Sequence, residues 1–414
     1  VKIVFLSMDP KGAIIRGAGY VAASIPDGND IKFYCCGNNY KKNNYSKLVG
    51  IVSKDKPDII MVSTTTLLYN DASRVIKAIK SSMDIPVLMG GVHPMIIGPN
   101  LLKENPDLDY LCIGEGETFI KEFVDNYGTE NLYDINNLAY RRGGEVFVNP
   151  LNPPEDLSKL PEFPYKWFDR VVTPNGSLPS SLPVSATRGC PNSCTYCCNS
   201  TFLKMYGKDY IRTMPVKNVI KELKYLKNNY KFKNFHFGDD TILANTKYAI
   251  KLLTALKSEI NIPYTCMSRA ESINEKMTAL LKETGCASVA MGVECGDEEF
   301  RRKYLHRFMT NKQIKNAFSL LRKAGIRTTS FNMIGWPFDY DDRLTKSTAD
   351  FNKELDPDGV QVTWFYPFPG TKLYDYCEKH NLINKDLFLG SYHAGSIIKG
   401  KENKKSTFKS HRRK

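Results

Sequence analysis

Three cysteines pose the chemical question. Cys190, Cys194 and Cys197 stand in the run Ala186-Thr187-Arg188-Gly189-Cys190-Pro191-Asn192-Ser193-Cys194-Thr195-Tyr196-Cys197-Cys198, a C-x₃-C-x₂-C spacing within eight residues. A cubane iron–sulfur cluster is normally held by four cysteines; three leave one iron open to a substrate group. Gly189 and Pro191 suit the turns a wrapping loop must make, and Arg188 can offset the charge of a thiolate-ligated cluster. On this reading the three cysteines are metal ligands and catalytic at once. Two other readings stay open on spacing alone: a structural zinc site completed by Cys198 or a distant His, and plain buried thiols. No second ligand pair follows within sixty residues, and Cys266, Cys286, Cys295 and Cys377 are singletons in apolar surroundings.

The rest of the chain must position these groups. Its 414 residues suffice for two or three domains, and 42% hydrophobic with 25% charged residues is a soluble globular balance. No apolar run approaches the ~20 residues of a membrane span, and the start does not resemble a signal peptide. Eleven cysteines so distributed fit a reducing compartment, so a cytoplasmic protein is expected. The chain opens at Val1 directly in a strand pattern, so preceding residues, the initiator Met included, are expected to be missing. The net charge of +14 is concentrated at one end, where residues 399–414 carry eight Lys/Arg against Glu402, a run expected to be a solvated, disordered tail.

Residues 1–134 alternate strand patterns (Lys2–Ser7, Ile31–Cys35, Asp58–Ser63, Pro86–Met89, Tyr110–Ile113) with helical ones (Gly17–Ser24, Tyr45–Lys54, Asp71–Lys80, Pro99–Asn105, Thr118–Asn126). Five βα units predict a doubly wound parallel sheet with ligands at the carboxyl ends of its strands. Residues 135–181 read as a hairpin around Arg142-Gly143-Gly144 and a Pro-rich linker. From 182 to 375 strands are expected at Leu182–Thr187, Asn234–Phe237, Tyr264–Ser268, Ser288–Gly292, Thr328–Ile334 and Gly359–Trp364, a second parallel sheet, curved or closed. Residues 376–414 complete a last helix, Leu373–Lys379, and the basic tail. The fold class is thus α/β, a doubly wound sheet followed by a partial barrel of six βα units.

C-x₃-C-x-aromatic-C after the first strand of a βα series resembles the radical S-adenosylmethionine superfamily. The resemblance implies a [4Fe-4S] cluster whose open iron chelates the amino and carboxylate groups of S-adenosylmethionine, and a 5′-deoxyadenosyl radical, released by one electron, that abstracts substrate hydrogen. It also assigns residues at successive strand ends. Gly238, Asp239 and Asp240 would bind the methionine amino group; Arg269 would pair with its carboxylate or steady the strand end; Glu294 would hold ribose hydroxyls; Tyr196 would pack near adenine. Phe331-Asn332-Met333-Ile334-Gly335-Trp336-Pro337 and Tyr366-Pro367-Phe368-Pro369-Gly370-Thr371 resemble two further signatures, so the similarity covers roughly residues 182–375. Each polar residue also has a bland reading as helix cap or surface ion pair.

A five-unit domain placed before such a core resembles the cobalamin-binding domain of one branch of the superfamily. Ser63-Thr64-Thr65 and Gly90-Gly91 resemble its Ser-x-Leu and Gly-Gly elements, with Thr65 in place of Leu, which makes Ser63, Thr65, Gly90 and Gly91 candidate cobalamin contacts. The Asp-x-His-x-x-Gly motif is absent: Ser7-Met8-Asp9-Pro10-Lys11-Gly12 has no His, and His93 reads as a hydrogen-bonded loop residue. The implied activity is cobalamin-dependent methylation of an unactivated carbon in a small, natural-product-like substrate, with a one-electron reductant such as flavodoxin or ferredoxin as partner. Nucleic acid is not an expected partner. The alternatives are ring formation or rearrangement with a degenerate cobalamin domain, a methylthiotransferase acting on transfer RNA, and a non-enzymatic cobalamin or iron–sulfur sensor.

Overall fold

The computed structural model describes residues 1–8, 14–36, 45–168, 181–339, 341–387 and 389–401. The Asp9–Gly12 loop and the tail beyond residue 401 lie outside them. The chain divides into two compact units between Pro179 and Ser180. No described helix is long and apolar enough to cross a membrane.

The first unit is one seven-stranded sheet. Its strands are β1 (Lys2–Ser7), β2 (Asp30–Cys35), β3 (Ile59–Ser63), β4 (Val87–Gly90), β5 (Tyr110–Cys112), β6 (Leu138–Arg142) and β7 (Glu145–Val148), ordered β2-β1-β3-β4-β5-β6-β7. The first five are parallel, with Val4 opposite Lys32 on one side and Ile60 on the other. β1 and β3 are nearly continuous apolar runs because helices cover both faces. Successive residues alternate between the two cores: Val4, Leu6, Ile60 and Val62 enter one, Ile3, Phe5, Ile59 and Met61 the other.

Two features differ from the sequence reading. The hairpin expected to open the linker is part of the sheet: β6 pairs antiparallel with β5, and β7 with β6, covering an edge that β5 would otherwise expose. Gly91-Val92-His93-Pro94, expected as a loop, opens a short helix, Val92–Ile97. Pro94 falls in its first turn, where its missing N–H has no partner to lose.

The second unit carries six parallel strands, β8 (Ser181–Val184), β11 (Asn234–Phe237), β12 (Tyr264–Ser268), β13 (Cys286–Glu294), β14 (Arg327–Ile334) and β15 (Gly359–Trp364), ordered β15-β14-β13-β12-β11-β8. The remaining two, β9 (Thr187–Arg188) and β10 (Arg212–Thr213), form a small antiparallel pair. Helices return the chain between strands, and Asn245, Asn274, Asp297 and Thr310 start four of them by accepting the backbone N–H three residues on. The expected strand Leu182–Thr187 breaks after Val184, because the Asp239 carboxylate takes the N–H of Ala186 and of Thr187 out of the ladder.

Beyond the last helix, where the chain is expected to run out into a disordered basic tail, residues 380–401 are bound to this unit. Trp364 donates its backbone N–H to Tyr392 (2.9 Å), Ser396 Oγ donates to the Phe365 carbonyl (2.6 Å), and Ile383 bridges Ile398. Lys401 is buried, its ammonium on the Asp339 carbonyl and 3.4 Å from Asp342.

Candidate functional site

The cysteine loop leaves the carboxyl end of β8, and local chemistry fixes its path. Gly189 has φ +92, and a Cβ there would collide with the Tyr210 carbonyl, so the turn into Cys190 admits only glycine. Asp239 is buried and accepts from Ala186 N (2.9 Å) and from the Thr187 hydroxyl (2.6 Å). After Cys198 the chain enters the helix Asn199–Tyr206.

Each of the three sulfurs faces an N–H donor. Asn192 Nδ2 lies 3.5 Å from Cys190 Sγ and Asn199 Nδ2 3.7 Å from Cys197 Sγ. Buried Cys194 has two guanidinium groups, Arg269 Nη1 at 3.5 Å and Arg307 Nη1 at 3.8 Å. Burial pushes the Cys190 thiol up, and the hydrogen bond with Cys198 together with burial pushes Cys197 up, so deprotonation needs a metal to drive it. Among the described residues no three His, Cys, Asp or Glu side chains are gathered so as to hold a metal ion. A cubane takes its thiolates at separate irons, and amide and guanidinium donors on sulfur suit its net negative charge. The donors on the three sulfurs therefore suit a cluster.

Glu294 closes the strand end of β13. Its backbone is left-handed (φ +68) across a register shift, a conformation that costs a non-glycine residue energy and that persists where the surroundings over-determine it. Its largely buried carboxylate lies 3.8 Å from Arg307, and Tyr196 is 3.3 Å from the same guanidinium. A cavity of about 280 Å³ opens here, walled by Tyr196, Cys197, Cys198 and Glu294 on one side and by Phe331, Gln361, Trp364, Tyr366 and Tyr392 on the other. Gly335, at φ +73, makes room for the Trp364 ring, which a Cβ would approach to 2.5 Å.

The expected residues thus divide. Cys194, Cys197, Tyr196, Arg269 and Glu294 are linked through Arg269, Arg307 and the cavity wall. Asp239, expected on the methionine amino group, is instead turned to the backbone that launches the loop. Asp240 is at the surface beside Asn199, whose amide it shares with Cys197. Gly238 donates its N–H to the Val184 carbonyl (2.9 Å), and a Cβ there would only touch Ser185 Oγ at 3.8 Å. Arg307, Asn199 and Tyr392 were not legible beforehand: Arg307 follows a Glu-Glu-Phe-Arg-Arg-Lys run that reads as a solvated helix face.

In the first unit, Ser63 and Gly90 are register partners at the ends of β3 and β4, and Thr64 donates its N–H to the Gly90 carbonyl (3.1 Å). Gly91, at φ +98, would bring a Cβ to 2.5 Å from the Thr64 carbonyl, and Thr65 starts the turn Thr66–Leu68. Ser63, Thr65, Gly90 and Gly91 therefore line adjacent strand ends with small side chains, which suits a bulky ligand approaching the backbone. His93 stacks on Tyr69 (4.2 Å between ring centres), with Nδ1 3.3 Å from Thr66 Oγ1. Burial holds its pKa down at about 4. The unfolded chain protonates His93 near 6.5, so its stabilisation is complete above that pH and is lost as pH falls from 6.5 toward 4, about 3 kcal/mol in all. Urea midpoints measured from pH 7 to pH 4 are expected to fall less steeply in His93→Phe, which keeps the stack; equal slopes refute the assignment.

Comparison with known proteins agrees with both units. Residues 184–349 match the radical SAM superfamily and residues 14–124 the B12 binding domain. An uncharacterised methyltransferase of Pyrococcus horikoshii is 31% identical over 374 residues, 89% of this chain and 79% of that one. The anaerobic magnesium-protoporphyrin IX monomethyl ester cyclase of Rubrivivax gelatinosus is 25% identical over 83% of this chain and 64% of its own. Among solved structures, the radical S-adenosylmethionine methyltransferase TsrM of Kitasatospora setae, with cobalamin and a [4Fe-4S] cluster bound, superposes with a TM-score of 0.73 at 14% identity, over 92% of this chain and 75% of that one. The chain belongs to the radical SAM superfamily, in the branch that carries a B12-binding domain, and its cofactors are a [4Fe-4S] cluster, S-adenosylmethionine and cobalamin.

Proposed function

We propose that this enzyme transfers a methyl group to an unactivated carbon of a small, ring-bearing molecule, with Cys190, Cys194 and Cys197 as the cluster ligands. The observation that carries the proposal is the set of three donor-flanked sulfurs in the loop that follows β9, with Cys197 on the wall of an aromatic cavity. Bound there, the cluster supplies the electron that cleaves S-adenosylmethionine, and cobalamin in the first unit carries the methyl group. Glu294 accepts ribose hydroxyls, and Tyr196 packs beside the adenine. Phe331, Trp364, Tyr366 and Tyr392 exclude water from the reacting carbon, which limits quenching by side reactions. Ser63, Thr65, Gly90 and Gly91 admit the nucleotide tail of cobalamin. A flavodoxin- or ferredoxin-type reductant and a cytoplasmic setting complete the reading.

Anaerobic reconstitution, with iron and cobalamin quantified before reduction in the presence of S-adenosylmethionine, tests it. Iron near four per chain, bound cobalamin and 5′-deoxyadenosine are expected. Deoxyadenosine without bound cobalamin keeps the radical site and discards methyl transfer in favour of ring closure, the reading that similarity to the protoporphyrin ester cyclase favours. Retained zinc without deoxyadenosine discards both.

A further inference from the structure

Arg307 is a buried, closely held cation of the second unit. Its side chain is 5% exposed, and its guanidinium reaches Cys194 Sγ, the Tyr196 hydroxyl, the Gly292 carbonyl and Met309 Sδ. The backbone around it leaves little freedom. Arg301, fully buried, ties the same segment down by donating to the Cys295 carbonyl (2.6 Å), and Arg307 N donates to the Arg301 carbonyl (3.0 Å). Thr195, inside the cysteine loop, donates its hydroxyl to Tyr304 (2.6 Å) and its N–H to Leu305 (3.3 Å). Cys194 and Arg307 are therefore set against each other by two independent stitches.

The pairing of this guanidinium is incomplete. A buried cation needs anions and a full set of acceptors. Its nearest carboxylate oxygen, on Glu294, stands at 3.8 Å, beyond hydrogen-bond reach, and its Nε has no partner. The second cation on Cys194, Arg269, already has Glu271 at 2.7 Å. A negative group at the Cys194 sulfur would supply the close anion that Arg307 lacks.

Given the cluster-binding role proposed above, on which this inference rests, we infer that Arg307 is a positioning residue that neutralises charge at the Cys194 corner, raises the reduction potential of the loaded site, and fixes Tyr196 and Glu294. Removing a positive charge beside a site that accepts an electron makes that electron harder to add. A lysine keeps the charge without the planar fork.

The test is a redox titration of the reconstituted full chain, followed by electron paramagnetic resonance, for the parent, Arg307→Gln and Arg307→Lys. Arg307→Gln is expected to shift the reduction equilibrium at least tenfold toward the oxidised form, about 59 mV for one electron. Arg307→Lys is expected to shift it less than about threefold, or half as far on that logarithmic scale. An unchanged potential in Arg307→Gln, or an equal shift in both variants, overturns the inference while leaving the cluster assignment intact. A parent that shows no cluster signal overturns the assignment itself. Where Arg307→Gln takes up no iron, Arg307→Lys decides: loading at the parent's potential supports charge compensation, and failure to load overturns it in favour of an arginine that only holds the fold.

Discussion

Cys194→Ala loses the iron–sulfur absorbance and 5′-deoxyadenosine formation together, the latter to background, while Cys198→Ala keeps its iron. The asymmetry follows from the surroundings of the two sulfurs. Cys194 is buried under two guanidinium groups, Arg269 and Arg307. Cys198 begins the helix after the loop, hydrogen-bonds to Cys197 and faces the cavity. Cys190→Ala and Cys197→Ala are expected to behave as Cys194→Ala does, since a three-thiolate site that loses one ligand leaves two irons without protein sulfur. Iron and sulfide analysis of the four variants checks this; a Cys198→Ala chain without iron would move the open corner elsewhere.

The second large effect belongs to Asp239. Truncation to Ala strands the Ala186 N–H, the Thr187 N–H and the Thr187 hydroxyl in a buried place. Each buried donor left without a partner costs about 1–3 kcal/mol, so Asp239→Ala is expected to lower stability by roughly 3–5 kcal/mol and Asp239→Asn by about half that. Iron uptake should fall in parallel, because these residues lead the chain into Gly189 and Cys190. The apoprotein's melting temperature separates the roles. A carboxylate that served only as a ligand for S-adenosylmethionine would weaken cofactor binding and leave apoprotein melting unchanged.

Much of this architecture was legible because its signals are local. Runs such as Ile59–Ser63 and Val87–Gly90 stay apolar over several residues. The cysteine spacing is local too. What escaped depended on contacts between distant residues. That Asp239 faces backwards is decided by residues about fifty positions earlier, and Arg307 acquires its meaning from a sulfur 113 positions away. The β6–β7 hairpin was visible as a hairpin, but its place on the sheet depends on pairing with β5, which no local pattern announces. Lys401 reads as part of a solvated charge run, yet it is buried on the Asp339 carbonyl.

The binding to β15 of residues beyond the last helix carries a consequence for how such enzymes diversify. On the proposed reading, the chamber's cofactor end is Tyr196, Cys197, Cys198 and Glu294, backed by Arg307, whereas Gln361, Trp364, Tyr366 and, later still, Tyr392 complete its lining. Tyr392 itself is joined to the end of β15 through its backbone carbonyl, which accepts from the Trp364 N–H and tolerates many side chains at that position. New substrates can therefore be sampled by changing the chain's closing segment while the sulfur ligands and their arginines stay fixed.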